Sequence, residues 1–375
     1  MECKGWEVVT RKTKQRSTMK EVAERAGVAK TTVSHAISGK RPVAPDTREK
    51  IFAAMRDLRF TPNPIARRLA GSASHAIALV FPLAAQSLAA VELRYLNSIS
   101  EVVNRGDYTF LTLTSPRVRV DDLRQVLYSG MLDGVILMRI NIDDERVELL
   151  KEAGMPFVMI GRTRNNEGLY YVDLDVEAAI DLAVSHLVEL GHEHIAFICP
   201  DDLSFGFAYR LMKGYEKSCR RQHLDQITIP ASWSDDAGHR AMHRLLVEHP
   251  ELTGVISWSD VVAMGAMSAL HEAGRRLPQD MSLISFDRSE HLPLASSDMT
   301  IIDTRPEATG TQAARMLLSL LHDEQPYPAQ VLVPPRLISG RSTARPPQSS
   351  RKPIGAERTK RVKITHRKEV AVAQN

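Results

Sequence analysis

Apolar residues follow two different rhythms along this chain. Between residues 18 and 60 they recur at helical spacing in three short bursts. In TMKEVAERA, 18–26, Val22, Ala23 and Ala26 share a face, and Thr18 followed three positions later by Glu21 is the reciprocal pair that satisfies free N–H groups at a helix start. Gly27 comes next, a residue that turns the backbone through positive φ without steric cost. The spacing predicts a second helix over KTTVSHAISG, 30–39, with Val33 and Ile37 inward and Lys30, Thr31, Ser34, His35 and Ser38 outward. A third begins at Asp46, whose carboxylate is expected to cap N–H groups near Glu49, and carries Ile51, Phe52, Met55 and Leu58 on its apolar positions. Three short helices, the second displayed by a tight turn, predict a helix-turn-helix unit.

From residue 76 the rhythm changes. Short β-type runs at AIALVFP (76–82), TFLTLTS (109–115), GVILMRI (134–140) and PFVMIGR (156–162) alternate with helical stretches that end at Asn104, lie near 120–129 and fill ERVELLKEAG. A second series follows: a helix at 176–190, HIAFICP (194–200), a helix near 208–221, a strand near 226–229 and a helix at 236–248. It closes with TGVISW (253–258), a helix at 260–273 and SLISFD (282–287). Such alternation builds parallel sheets covered on both faces, so the fold class expected is α/β, two α/β subdomains behind an all-α head. A ligand would bind between them, outside the carboxyl ends of the strands.

Composition narrows the class. With 375 residues, 43% of them hydrophobic, the chain can bury a large core, and disorder as its main state is excluded. It has no apolar run of about eighteen residues, and its start, MECKGWEVVTRKTKQR, is polar, so a soluble cytoplasmic protein without a membrane partner is expected. Cys3, Cys199 and Cys219 are too scattered for a disulfide framework or a zinc site. No glycine-rich phosphate loop, GxSxG, HExxH or Cys/His metal spacing appears, which argues against an enzyme, a cofactor and a metal. His186, His192 and His194 in VSHLVELGHEH read as capping and surface groups, and Met264 and Met267 as core.

Charge is segregated. Residues 1–71 carry 16 Lys and Arg against 7 Asp and Glu, and residues 344–375 carry 9 against 2, while the whole chain is only +4. A basic head on an acidic body points to a polyanion approached by the head, because Lys and Arg displace condensed counterions and an acidic body is repelled. The outward face of the second helix is small, polar and suited to base edges in a major groove.

The ordered pattern VAxxAGV, TTVS, TREKI and PNxxAxxLA within residues 20–71 closely resembles the DNA-binding head and hinge of the lactose/galactose-repressor family. The resemblance implies that Lys30, Thr31 and His35 read bases while Thr32 and Ser34 hold phosphates. His35 stands where many relatives have an arginine, and histidine lacks the bidentate fork that suits guanine. Pro62 and Pro64 hold TPNP extended, and the resemblance implies that the hinge helices of two subunits lie in the minor groove, with Leu69 wedged into a base step and Asn63, Ala66 and Arg67 lining it.

GMPFVMIGR, VDLDVEAAIDLAVSHLVELGHEHIAFI, LTGVISWSDVVAMGAMSALHEAGRRLPQDMSLISFD and VPPRLISGRST are similar to the same family's periplasmic-binding-protein-like (type I) core. By that resemblance the effector contacts are Asp287, Trp233, Arg210, Ser259 and Arg162. Arg210 lies four residues before Gly214 where the family usually has three, Ser259 replaces an asparagine, and FPLAAQSLAAVELRYL lacks the aromatic pair of many relatives. The organisation implied is a flexible basic arm (1–17), a helix-turn-helix domain (18–60), a hinge (61–72), an effector-binding core (73–343) and a disordered basic tail (344–375).

The function implied is a transcriptional repressor that binds a pseudo-palindromic operator in double-stranded DNA as a homodimer and is released or tuned by a sugar or sugar derivative. Two other readings stay open at this point: a purine-type corepressor, and a ligand-binding protein of the transport type without operator function.

Overall fold

The computed structural model describes residues 17–38, 41–58, 60, 74–82, 90–115, 120–287 and 298–347. The head contains α1 (Met19–Ala26), α2 (Lys30–Ser38) and α3 (Pro45–Asp57). The expected capping box is present: the Thr18 N–H donates to the Glu21 carboxylate at 2.6 Å and the Glu21 N–H to Thr18 Oγ1 at 3.3 Å. Gly27 takes φ 67° and ends α1. Val22, Val33 and Ile51, all fully buried, form the centre of this small core, with Ala36 of α2 joining them. The start of α3 differs from expectation. Ala44 is the N-cap and makes no side-chain bond, while Asp46 sits inside the first turn; Pro45 starts the helix because its fixed φ suits the first position and its missing N–H is not needed there.

The rest of the described chain is two α/β subdomains. In chain order, the first supplies β1 (Ala76–Pro82), α4 (Ala90–Arg105), β2 (Thr109–Ser115), α5 (Val120–Ser129), β3 (Gly134–Met138), α6 (Glu145–Glu152), β4 (Phe157–Ile160) and β5 (Tyr171–Leu174). The second supplies α7 (Val176–Glu189), β6 (Ile195–Pro200), α8 (Gly206–Gln222), β7 (Ile227–Ala231), α9 (Asp235–Glu248), β8 (Gly254–Ser257), α10 (Asp260–Glu272), β9 (Ser282–Phe286) and β10 (Thr300–Asp303). The chain then returns to the first subdomain with α11 (Pro306–Leu321) and β11 (Gln330–Val333), and to the second with β12 (Arg336–Ile338).

The first sheet has the order β11-β5-β4-β3-β1-β2 and is parallel throughout; the second has the order β12-β10-β9-β8-β6-β7, with β12 antiparallel to β10. Strand β1 reads as a continuous apolar run because both its faces are covered. Ile77, Leu79 and Phe81 join one buried cluster with α4 and α11, and Ala78 and Val80 join another with α5 and α6. Strands β10, β11 and β12 and helix α11 lie beyond the expected series, which stops at 287, and β5 falls between its segments at 156–162 and 176–190. The strands are three or four residues long, too short for a period to show.

Three crossovers join the subdomains, at Leu174–Val176, Asp303–Pro306 and Val333–Arg336. The expected tail boundary at residue 344 also moves. The Ala344 N–H donates to Ser282 Oγ at 3.0 Å and its carbonyl accepts from His192 Nε2 at 2.8 Å, so the core extends past Thr343.

Candidate functional site

Two surfaces carry candidate chemistry. On α2 the side chains that leave the core are those expected to meet DNA: Lys30 and Thr31 are exposed and Thr32, Ser34 and His35 partly so, with Val33 and Ala36 turned inward. Lys30, Thr31 and Thr32 form the first turn, at the positive end of the helix dipole, which favours a phosphate. Asn63, Ala66, Arg67 and Leu69 lie outside the described residues.

The second surface is a cavity of about 470 Å³ at the carboxyl ends of the strands of both subdomains. Asp287 stands in its wall, one residue beyond β9, with φ 56°. The Thr304 N–H donates to Asp287 Oδ1 at 3.0 Å and the Thr304 hydroxyl to Oδ2 at 2.6 Å. Burial pushes the Asp287 carboxyl up to about 6, against the pull of the Thr304 hydrogen bonds and of Arg94, whose Nη1 is 3.8 Å away.

Trp233 lies between β7 and α9 and lines the same cavity. The Arg139 guanidinium is 4.8 Å from its ring centroid, and the Trp258 ring 6.2 Å. The indole Nε1 of Trp233 is buried without a hydrogen-bond partner among the described residues, whereas Trp258 Nε1 donates to the Ala231 carbonyl at 3.1 Å. Ser259 also lines the cavity, but its hydroxyl is committed to capping α10, where it accepts from the Val262 N–H at 3.3 Å.

Arg162 and Arg210 are not brought to the cavity wall. Arg162 donates to Asp173 at 2.8 Å and to Glu177 at 3.0 Å; burial opposes its charge, but the two carboxylates outweigh that and raise its pKa. Arg210 reaches the carbonyls of Arg162 and Gly206, both at 3.0 Å, and of Thr163 at 2.8 Å. Burial, reinforced by the charge of Arg162, lowers the Arg210 pKa. Both arginines therefore fasten the rim, tying the segment after β4 to α7 and α8. Next to them the Gly206 N–H donates to the Ile140 carbonyl at 2.9 Å and the Ile142 N–H to the Ser204 carbonyl at 2.8 Å, a short backbone ladder between the subdomains.

Sequence reasoning missed several cavity groups: Arg139, Glu92, Asp173, Phe207 and Trp258. Arg139 Nη2 is 2.5 Å from Glu92 Oε1, and Glu92 is only 3% exposed. A buried glutamate in the first turn of α4 does not stand out in sequence; Arg139, one residue past the end of β3 within GVILMRI, was the one available signal. The lining carries six carboxylates and one guanidinium, with aromatic faces between them, a surface suited to a ligand rich in hydroxyl donors with apolar C–H faces. His192, expected as a capping or surface group, is buried; its ring bonds Thr253 Oγ1 at 2.8 Å and the Ala344 carbonyl. No group of His, Cys, Asp and Glu among the described residues is arranged to hold a metal ion, and no helix among them is long and apolar enough to cross a membrane.

Comparison with known proteins places both surfaces in context. Residues 18–63 match the model for bacterial regulatory proteins of the lacI family, and residues 184–343 match that for a periplasmic binding protein-like domain. The chain is 31% identical over 344 residues to the HTH-type transcriptional regulator AglR of Rhizobium meliloti (strain 1021), which spans 88% of this chain and 96% of that protein. It is 30% identical to the HTH-type transcriptional repressor PurR of Klebsiella pneumoniae (strain 342), over 88% of this chain and 97% of the relative. Among solved structures, a lac repressor dimer bound to operator and the anti-inducer ONPF superposes with a TM-score of 0.76 at 25% identity, over 88% of this chain and all of that one. A complex of the transcriptional regulator CelR with cellobiose superposes at 0.66 and 26% identity, over 87% of this chain and all of that one.

Proposed function

The chain belongs to the lacI family of bacterial regulatory proteins, and from that premise we propose that it is a cytoplasmic repressor whose cleft binds a sugar or sugar derivative, not an enzyme. The head binds a pseudo-palindromic operator as part of a homodimer, α2 entering the major groove with Lys30, Thr31 and His35 at base edges and Thr32 and Ser34 at phosphates. Asn63, Ala66, Arg67 and Leu69 act on the minor groove between the half-sites.

The observation that carries the ligand assignment is the pairing of Asp287 with Trp233 in one cavity. A carboxylate with each oxygen already fixed by Thr304 keeps lone pairs for paired ligand hydroxyls, and an indole face suits the C–H side of a pyranose. CelR, the relative solved with cellobiose, supports this class. Arg162 and Arg210 serve the rim in this reading and Ser259 the helix cap. Ligand entry requires the subdomains to swing about the three crossovers, breaking and remaking the Ile140–Gly206 ladder, and the swing changes the spacing of the two hinges.

The test is fluorescence anisotropy of the full chain on its own upstream intergenic DNA, with glucose, maltose, cellobiose, sugar phosphates, adenine and guanine added in turn. The expected result is tight binding that a neutral sugar releases. Tightening by a purine would replace the sugar reading with the corepressor one, and indifference to every compound would overturn the effector assignment.

A further inference from the structure

Arg94, on α4, is not in the cavity wall, yet it touches three carboxylates on three different elements of the fold. Its Nη1 is 3.8 Å from Oδ1 of Asp287, in the wall of the cleft. Its Nη2 is 3.5 Å from Oδ1 of Asp303, the last residue of β10 and the start of a crossover. Its Nε and Nη2 lie 2.5 and 2.8 Å from the two oxygens of Glu307, in the first turn of α11. The grip is asymmetric. The bidentate pair with Glu307 fixes the guanidinium to α11, whereas the two aspartates are held at the long end of ion-pair distance.

Helices α4 and α11 form one body. At Gly310 a side chain has no room: a Cβ there would lie 2.3 Å from Ser98 Oγ and 3.2 Å from a side-chain carbon of Ile99, both on α4. A displacement felt by Arg94 is therefore felt by the whole pair. The crossover beside it is conformationally tense: Arg305 holds φ 56° and its N–H donates to Asp303 Oδ1 at 3.0 Å. Ligand hydroxyls that bond Asp287 draw on the same oxygen lone pairs that face Arg94, since Thr304 already occupies a site on each oxygen.

We propose that Arg94 is a positioning residue that couples occupancy of Asp287 to the Asp303–Pro306 crossover, and through Glu307 to the α4–α11 pair. Ligand at Asp287 releases the guanidinium toward Asp303 and Glu307, and the first subdomain turns relative to the second. The inference rests on the reading of the cleft as the effector site and adds the residue through which that site acts.

Two measurements on the full chain test it, with the parent, Arg94→Met and Arg94→Lys compared. In the first, cellobiose is the probe, its binding read by tryptophan fluorescence and its effect by operator anisotropy. Arg94→Met is expected to bind cellobiose within about threefold of the parent yet to lose at least tenfold of the ligand-induced change in operator affinity, and Arg94→Lys to recover most of it. A Met variant that responds like the parent overturns the coupling while leaving the effector reading intact; a parent that binds no cellobiose counts against the reading, and the second measurement then decides the coupling. That measurement is hydrogen exchange without ligand. Arg94→Met is expected to speed exchange several-fold at both 284–287 and 300–310 while 195–200 is unchanged, and unchanged exchange at either of the first two overturns the coupling.

Discussion

The guanidinium of Arg139 lies over the ring of Trp233, 4.8 Å from its centroid, and so joins the two subdomains across the cleft. The same arginine pairs with Glu92, which is almost fully buried. Removing the cation alone leaves that carboxylate without this partner in a poorly solvated place, which costs more than the pair itself contributes. Arg139→Met is therefore expected to lower stability by about 3 kcal/mol, with Arg139→Met combined with Glu92→Gln recovering more than half of the loss. Chemical denaturation of the two variants beside the parent checks this, and equal losses in both would show that the charge pair does not set the cost.

Asp287 has its carboxyl raised by burial to about 6, above the ordinary value of 3.8. The folded state thus holds this proton more tightly than the unfolded chain. The sign follows: the stability linked to Asp287 is fully present below about pH 4 and is lost as the pH rises through about 6. Asp287→Asn keeps acceptor and donor capacity but cannot ionise. Its melting temperature relative to the parent is expected to rise between pH 4.5 and 7.5, by the equivalent of about 2 kcal/mol. Thermal melts across that range read the effect, and a constant offset would assign the burial cost elsewhere. Sugar binding by the same variant is expected to weaken at every pH.

Legibility from sequence tracked how local each signal is. Thr18, Glu21 and Gly27 act within one helix turn, and the structure has the capping box and left-handed Gly27 where the spacing put them. Asp287 and Trp233 are legible through the family resemblance of the core, and both line the cavity. Glu92 and Arg139 escaped, since a residue on α4 and one after β3 meet only through tertiary packing. Arg210 and Arg162 are implied only by the family resemblance, and in the fold neighbouring carbonyls and carboxylates satisfy both at the rim. Asp46 was named as a cap because aspartate favours that position, and Pro45 took the first helical position ahead of it.

His35 stands partly exposed on the outer side of α2. Under the proposed docking it meets a base edge with one ring nitrogen, where an arginine would offer two parallel donors to guanine. His35→Arg is expected to shift preference toward guanine at one position in each half-site by about 1–3 kcal/mol, without altering melting of the head. Competition binding with operators varied one base pair at a time reads this directly. A uniform gain on all sequences would mean that the new arginine reaches phosphate instead.

Ala344 supplies the acceptor for a buried histidine. Its carbonyl is 2.8 Å from His192 Nε2, so that nitrogen carries the proton and Nδ1 accepts from the Thr253 hydroxyl, also at 2.8 Å. Burial lowers the His192 pKa, which keeps the ring neutral at neutral pH. Nearby, Thr343 Oγ1 bonds His186 Nε2 at 3.0 Å and Thr300 Oγ1 at 2.8 Å. Truncation after Pro347 leaves all of these contacts in place and is expected to preserve the melting temperature. Truncation after Thr343 strips the Nε2 proton of its acceptor and frees Ser282 Oγ, for a loss of about 1–3 kcal/mol. Because a histidine with a depressed pKa favours the folded state above its ordinary value, acid weakens both forms, the shorter one from a lower starting point. Melting curves of the two truncations at pH 7 and pH 5 check the assignment; equal stability at pH 7 would mean that solvent replaces the Ala344 carbonyl without cost.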